Sequence, residues 1–194
     1  MAMKGKDCVA IAMDRYFGVQ GKTMSSKFQR VFQFGPKLFV GLPGLATDTK
    51  TVFQRLRFRV NMYELRENRR MRPKTLSTLL SSFLYERRFG PYFVEPIVAG
   101  IDEKTGQTFI CVSDLLGSSD ESGDFVVAGT CDEQLLGMCE TLWEPNLSPD
   151  ELYEVIAQAM KSACARDAIS GWGATVYVIQ KDGVTVKDVK MRMD

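Results

Sequence analysis

Near its amino terminus the chain reads CVAIAMDR over residues 8–15, an apolar run of small and β-branched side chains that ends at the charged pair Asp14-Arg15. This pattern is typical of a short buried β-strand. Farther along, the apolar runs 31–34 and 38–41 flank Gly35-Pro36-Lys37, which predicts a hairpin. We therefore expect the chain to open with strands.

After Gly44 the apolar residues recur three and four apart, a spacing that predicts helices. The first helix is expected to start near Thr47 or Asp48. The second follows Pro73 and is expected to stop at Gly90-Pro91.

The second half of the chain repeats this succession of strands and helices. Ser148-Pro149-Asp150-Glu151 provides an N-cap serine, a proline at the first helical position and a capping-box glutamate, which together predict the start of a helix. The other predicted elements are strands at 95–101, 108–113 and 125–128, a helix over 132–143, and a closing hairpin of 174–180 and 184–189.

The order strands, two helices, strands, two helices, strands favours a layered α/β (α+β) architecture, with sheet packed on sheet in the middle and helices outside. A Rossmann-type sheet is not expected, because single helices do not alternate with strands and no glycine-rich phosphate loop follows a strand. The length of 194 residues suits one domain spanning 1–194.

Composition excludes several classes of function. Lys and Arg number 25 against 24 Asp and Glu, so a dedicated nucleic-acid binder is not expected. Histidine is absent, which removes histidine-based triads and histidine-ligated metals. The five cysteines lack paired metal spacing and are expected to be buried reduced thiols, so no metal or cofactor is predicted. Neither a signal peptide nor a membrane span is expected.

Three segments carry a resemblance to a known family. They read CVAIAMDRYFG at 8–18, GLATD at 44–48 and RDAISG at 166–171, and their order and spacing resemble those of proteasome beta subunits over essentially the whole chain. This resemblance implies the four-layer αββα sandwich of the N-terminal-nucleophile hydrolases. Within the family, the chain most resembles the type-3 branch. The segments that carry this resemblance are YERRFGPY at 85–92, DFVV at 124–127, GMCETLWEPN at 137–146 and KMRMD at 190–194.

The resemblance also implies which residues occupy the catalytic positions of active relatives. Those relatives use an N-terminal threonine as nucleophile, its own amino group as base, and an aspartate that orients a lysine. Asp14 matches the aspartate, Arg30 stands at the lysine's position, and Gly44 matches the glycine whose N–H faces the oxyanion. The residues that match the support of the threonine are Asp167, Ser170 and Gly171.

Two catalytic parts are expected to be missing. By family spacing the nucleophile falls about 16 residues before Asp14, ahead of Met1, and the first six residues hold no Thr or Ser. In active relatives a second supporting serine occupies the position that corresponds to about Asp132, so this chain differs from them there as well. We therefore predict a vestigial site and a non-catalytic chain. A purely structural interpretation is that Asp14 and Arg30 form a partly buried ion pair and that Ser170-Gly171 is a turn.

The function implied is that of a non-catalytic structural beta subunit of the 20S proteasome core particle, serving ring assembly and ubiquitin-dependent protein degradation in cytoplasm and nucleus. Its expected partners are two beta neighbours, one of them the trypsin-like subunit, the opposite beta ring, alpha subunits and assembly chaperones, with no nucleic acid and no membrane. Two alternatives stay open, an active N-terminal threonine hydrolase in a simpler ring and a stand-alone binding module of the same fold.

One loop is expected to act on a neighbour. Residues 113–121 carry three acidic side chains, and in this family the matching loop faces the substrate pocket of the adjacent beta subunit. Asp114, and secondarily Asp120, are predicted to add negative potential beside that pocket, and Ser118 is predicted to line it; the alternative is an ordinary polar hairpin tip. Separately, arginines at 66–72 and 87–88 are predicted to be either solvated helix ends or groups that pair across subunits.

Overall fold

The computed structural model describes residues 1–19 and 21–193. The strands are β1 (Ala2–Lys4), β2 (Val9–Asp14), β3 (Phe17–Val19), β4 (Lys22–Ser25), β5 (Val31–Gly35), β6 (Leu38–Gly41), β7 (Ile97–Ile101), β8 (Thr108–Ser113), β9 (Ser119–Glu121), β10 (Phe125–Val126), β11 (Ala174–Ile179) and β12 (Val184–Val189). The helices are α1 (Ala46–Glu67), α2 (Pro73–Tyr85), α3 (Asp132–Leu142) and α4 (Pro149–Cys164).

The strands form two five-stranded antiparallel sheets. One has the order β10-β1-β2-β11-β12 and the other β5-β6-β7-β8-β9, while β3 and β4 make a separate hairpin. The strand predicted from residues 8–13 is β2, the middle strand of the first sheet, where Ile11 lies opposite both Ala2 of β1 and Tyr177 of β11. Its central place explains why both of its faces are apolar.

The four layers follow from three apolar cores. The first sheet packs against α3 and α4 through side chains such as Leu135 and Ile156. The second sheet packs against α1 and α2 through side chains such as Leu56 and Leu80. Between the two sheets lies a third core that includes Ile11. The predicted arrangement of two sheets inside and helices outside is therefore confirmed.

Helix ends with strong local signals lie where the sequence predicted them. At the start of α4, the Glu151 N–H donates to the Ser148 side chain (3.4 Å) and the Ser148 N–H donates to the Glu151 carboxylate (2.8 Å), which completes the predicted capping box.

The predicted end of α2 at Gly90-Pro91 is wrong. The helix ends at Tyr85, and residues 86–90 form successive turns closed by backbone hydrogen bonds.

Several short strands were not predicted. β1, β3, β4 and β9 have three or four residues each, too few for a periodic pattern to emerge. Within the described residues, no helix is both long and apolar enough to cross a bilayer.

Candidate functional site

The predicted vestigial residues converge on one cleft. It measures about 460 Å³ and opens beside the end of β2, and its lining includes Asp14, Arg30, Gly44 and Ser170. Asp167 accepts a hydrogen bond from the Ser170 hydroxyl. The fold thus brings together residues from four separate parts of the chain.

Asp14 and Arg30 form the predicted ion pair. Arg30 Nη1 lies 3.2 Å from Asp14 Oδ1, and the two side chains are only 13% and 18% exposed, Arg30 being the more buried. Arg30 also donates to the backbone carbonyl of Tyr16, while the Gly171 N–H donates to Asp14 Oδ2 at 3.1 Å. The pair therefore ties the end of β2 to the segment before β5 and to the turn after α4. Arg30 immediately precedes β5 instead of lying within a strand as predicted.

Burial disfavours both charges of this pair. It raises the pKa of Asp14 despite the opposing effects of the Arg30 guanidinium and of the Gly171 N–H, and it lowers the pKa of Arg30. A guanidinium has donors only and keeps its proton at physiological pH, so Arg30 can orient neighbours but cannot relay a proton.

Gly44 occupies a position that excludes a side chain. Its φ is +128°, and a Cβ there would lie 2.1 Å from the carbonyl oxygen of Phe93. The backbone approaches Val94 so closely that the two residues form an isolated β-bridge. Packing between the loop before α1 and the segment before β7 is therefore sufficient to require glycine here.

Asp167, Ser170 and Thr130 form a second polar cluster. The Thr130 hydroxyl donates to Asp167 Oδ2 at 2.9 Å and lies 2.8 Å from the Ser170 hydroxyl, which also bonds Asp167. Burial raises the pKa of Asp167, but the hydrogen bonds from Ser170, the Ile169 N–H and Thr130 outweigh it and the net shift is downward. Ser170 lies within the predicted turn.

Thr130 was not among the residues predicted for the site. The position near Asp132 was considered instead, but the Asp132 side chain accepts from the Glu133 N–H in the first turn of α3. The sequence Gly129-Thr130 just before a predicted helix was the available signal, because a hydroxyl there can meet the loop after the adjacent α4.

The acidic loop forms a compact turn between β8 and β9. Asp114 Oδ1 accepts from the N–H groups of Leu116 (2.9 Å) and Ser118 (2.8 Å), and the Asp114 N–H donates to the Ser118 carbonyl (3.0 Å). Asp114, Ser118 and Asp120 are exposed, whereas Leu115 lines the cleft. The loop is a hairpin tip, and one carboxylate oxygen of Asp114 accepts the hydrogen bonds that close it.

The arginine-rich segment before α2 is paired within the chain. Arg70 contacts Glu64, Arg69 contacts Glu67, and Arg72 contacts Asp102 at 2.5 Å. In the described ranges there is no group of three or more Cys, Asp or Glu side chains arranged to hold a metal ion.

Comparison with known proteins identifies the family. A family model described as "Proteasome subunit" matches residues 1–179. The proteasome subunit beta type-3 of Drosophila melanogaster is 61% identical over 194 residues, which cover all of this chain and 95% of the relative. The chain belongs to the proteasome subunit family. The beta type-3 subunits of Saccharomyces cerevisiae and Trypanosoma brucei brucei are 53% and 47% identical over the same 194 residues and are covered to 94% and 95% of their lengths.

These full-length matches confirm several predictions made from the sequence. The resemblance to the beta type-3 branch of the proteasome family is confirmed, and with it the N-terminal-nucleophile hydrolase fold. The chain is a non-catalytic beta subunit of the 20S core and not itself the enzyme. Arg30, whose guanidinium cannot relay a proton, is consistent with that role.

Proposed function

We propose that this proteasome subunit serves as a structural member of the beta ring in cytoplasm and nucleus. Its partners are two beta neighbours, including the trypsin-like one, the opposite beta ring, alpha subunits and, during assembly, chaperones. Large apolar side chains on the surface support this proposal. Phe58, Met62 and Leu65 are exposed on α1, and Phe89 after α2 is 97% exposed. Such groups gain stability when another chain covers them.

Native mass spectrometry of the affinity-tagged endogenous chain tests this proposal, with peptide sequencing of the proteins that copurify. We expect a very large assembly that contains many different alpha and beta subunits. A homomeric ring, or a monomer that persists in dilute lysate, would contradict the proposal.

We further propose that Asp114 contributes negative potential to the substrate pocket of the trypsin-like neighbour. Its Oδ1 is held by two backbone N–H groups, which fixes the orientation of an exposed carboxylate. An oriented charge at the tip of a rigid turn favours a basic substrate residue more than a freely rotating charge does. Asp120 on β9 adds a second exposed carboxylate nearby.

The variant Asp114→Asn, studied in assembled particles, removes the charge and keeps the shape of the loop. Asparagine keeps an oxygen that accepts from Leu116 and Ser118 but removes the negative charge. We expect cleavage after Arg and Lys to fall by up to about fivefold, since an exposed charge contributes up to about 1 kcal/mol. Cleavage after apolar and acidic residues is expected to stay unchanged.

The matched control is Asp182→Asn, which removes the same charge from the turn between β11 and β12 on the other sheet. It is expected to leave all three cleavage activities unchanged. Unaltered cleavage after Arg and Lys in Asp114→Asn particles, or an equal fall of all three activities, would refute the role of Asp114.

A further inference from the structure

Two buried cysteines meet at the wall of the cleft. Cys131 and Cys164 are 6% and 5% exposed, both line the cleft and belong to the same apolar core, and their thiols interact with each other. The other three cysteines of the chain, Cys8, Cys111 and Cys139, are also free and buried but do not line it. The contact between the two thiols takes no part in the ion pair or the hydroxyl cluster described above.

The two cysteines lie at helix termini of opposite polarity. Cys131 is the N-cap residue of α3, and Cys164 is the last residue of α4. The partial positive charge at a helix N-terminus favours a thiolate, and the partial negative charge at a helix C-terminus disfavours one. The positions of the two residues at helix termini therefore favour the thiolate at Cys131 over that at Cys164.

Local hydrogen bonds act in the same direction. The contact with the Cys164 thiol lowers the pKa of Cys131, against the opposing effects of burial and of Asp14 and Asp167. The pKa of Cys164 is raised, by its hydrogen bond to Cys131 and by burial. Burial raises the pKa of Cys8 to about 11 and that of Cys139 to about 12, which makes those thiols unreactive.

We propose that Cys131 and Cys164 form a peroxide-reactive dithiol site that closes to a disulfide. The Cys131 thiolate attacks one oxygen of hydrogen peroxide, the O–O bond breaks, and the departing hydroxide takes a proton to become water, leaving a sulfenic acid. The Cys164 sulfur then attacks the Cys131 sulfur, the S–O bond breaks, and the hydroxyl leaves with the thiol proton as a second water. Two thiols are oxidised, and one peroxide is reduced to two waters.

The disulfide would join the start of α3 to the end of α4. Thr130 directly precedes Cys131, and Asp167 and Ser170 follow Cys164, so the new bond would restrain both sides of the hydroxyl cluster.

Peptide mapping of particles that contain this chain tests the proposal. One half of a preparation is treated with hydrogen peroxide, both halves are alkylated in denaturant, and the digests are compared by mass spectrometry. We expect a peptide pair joined through Cys131 and Cys164, lighter by two hydrogen atoms than the reduced pair and abolished by dithiothreitol. Cys8, Cys111 and Cys139 are expected to remain alkylated. Alkylation of Cys131 and Cys164 to the same extent as Cys139 after peroxide would overturn the proposal.

Two variants assign the roles of the thiols. Cys164→Ser removes the resolving thiol, so the Cys131 sulfenic acid is expected to persist and to be captured by dimedone. Cys139→Ser, a buried thiol on the same helix as Cys131, is the matched control and is expected to form the cross-link as the unaltered chain does. Equal dimedone capture in the unaltered chain and in Cys164→Ser would refute the role of Cys164. If Cys164→Ser does not assemble, the mapping of the unaltered chain still decides.

Discussion

At the scale of single residues, Arg30 distinguishes this site from one built for proton transfer. Its guanidinium contacts Asp14, the carbonyl of Tyr16 and the ring of Phe28, whose centre lies 4.9 Å away. A lysine ammonium is a compact point charge and could not make this set of contacts in one plane. Arg30 therefore acts as a structural connector between segments that are distant in the sequence.

Arg30→Met is expected to destabilise the chain by about 1–3 kcal/mol at neutral pH, because it leaves the Asp14 carboxylate partly buried and unpaired. The folded-state pKa of Asp14 is raised above its unfolded value of about 3.9. The contribution of Asp14 to the free energy of unfolding is therefore fully present below that value and is lost as the pH rises through the folded-state pKa. Removing Arg30 raises the folded pKa further, so the penalty should be larger at pH 7 than near pH 4.

Urea unfolding of the purified chain at several pH values, followed by tryptophan fluorescence, measures this effect. Arg30→Lys is the control that keeps a positive charge and is expected to lose less stability at pH 7. A penalty for Arg30→Met that does not change with pH would show that Asp14 is not the group responsible.

At the scale of elements, helix boundaries follow local chemistry where a cap is present. The capping box puts the start of α4 at Pro149, and the hydrogen bonds from the Ser148 hydroxyl and N–H lower the pKa of Glu151. The end of α2 has no such signal. Its last turn passes into backbone-bonded turns that direct Phe89 outward, before Gly90-Pro91 is reached.

Ser148→Ala is expected to reduce the free energy of unfolding by about 1 kcal/mol, because the cap to the Glu151 N–H is lost. Denaturant titration measures the change, and Ser148→Thr, which retains a hydroxyl, is expected to lose much less. Equal stability of Ser148→Ala and the unaltered chain would mean that tertiary packing alone defines the start of α4.

At the scale of the whole molecule, the interface between the two sheets joins the two halves. Ile11 of β2, Ile97 of β7 and Ile110 of β8 are completely buried there. The helix pairs cover the outer faces, and the cleft lies at one end of this interface, where β2 stops. The position of the site is therefore a consequence of how the sheets stack.

Ile11→Ala is expected to cost about 2–5 kcal/mol, because it leaves a cavity between sheets that cannot collapse toward each other without disturbing both. Ile11→Val should cost about 0.5–1.5 kcal/mol. The surface control Val186→Ala on β12, where the side chain is 54% exposed, should cost less than about 1 kcal/mol. Thermal or denaturant unfolding measures all three, and a cost of Ile11→Ala no larger than that of Val186→Ala would contradict a tightly packed interface.

The sequence by itself determined the succession of the longer elements, the capped start of α4, the layered architecture and, through the segments at 8–18, 44–48 and 166–171, the family. These features depend on side-chain periodicity and on capping residues a few positions apart, which are local and therefore readable along the chain. The six predicted vestigial residues were also identified from the sequence, and four of them line the cleft.

Only the tertiary structure decided which distant residues meet. β1 is a strand because Ala2 pairs with Ile11 on one side and with Val126 on the other. Thr130 joins Asp167, and Cys131 meets Cys164, because α3 and α4 pack side by side on the same sheet. Such contacts depend on the free energy of burying whole faces of sheets and helices together, a quantity that no local pattern in the sequence contains.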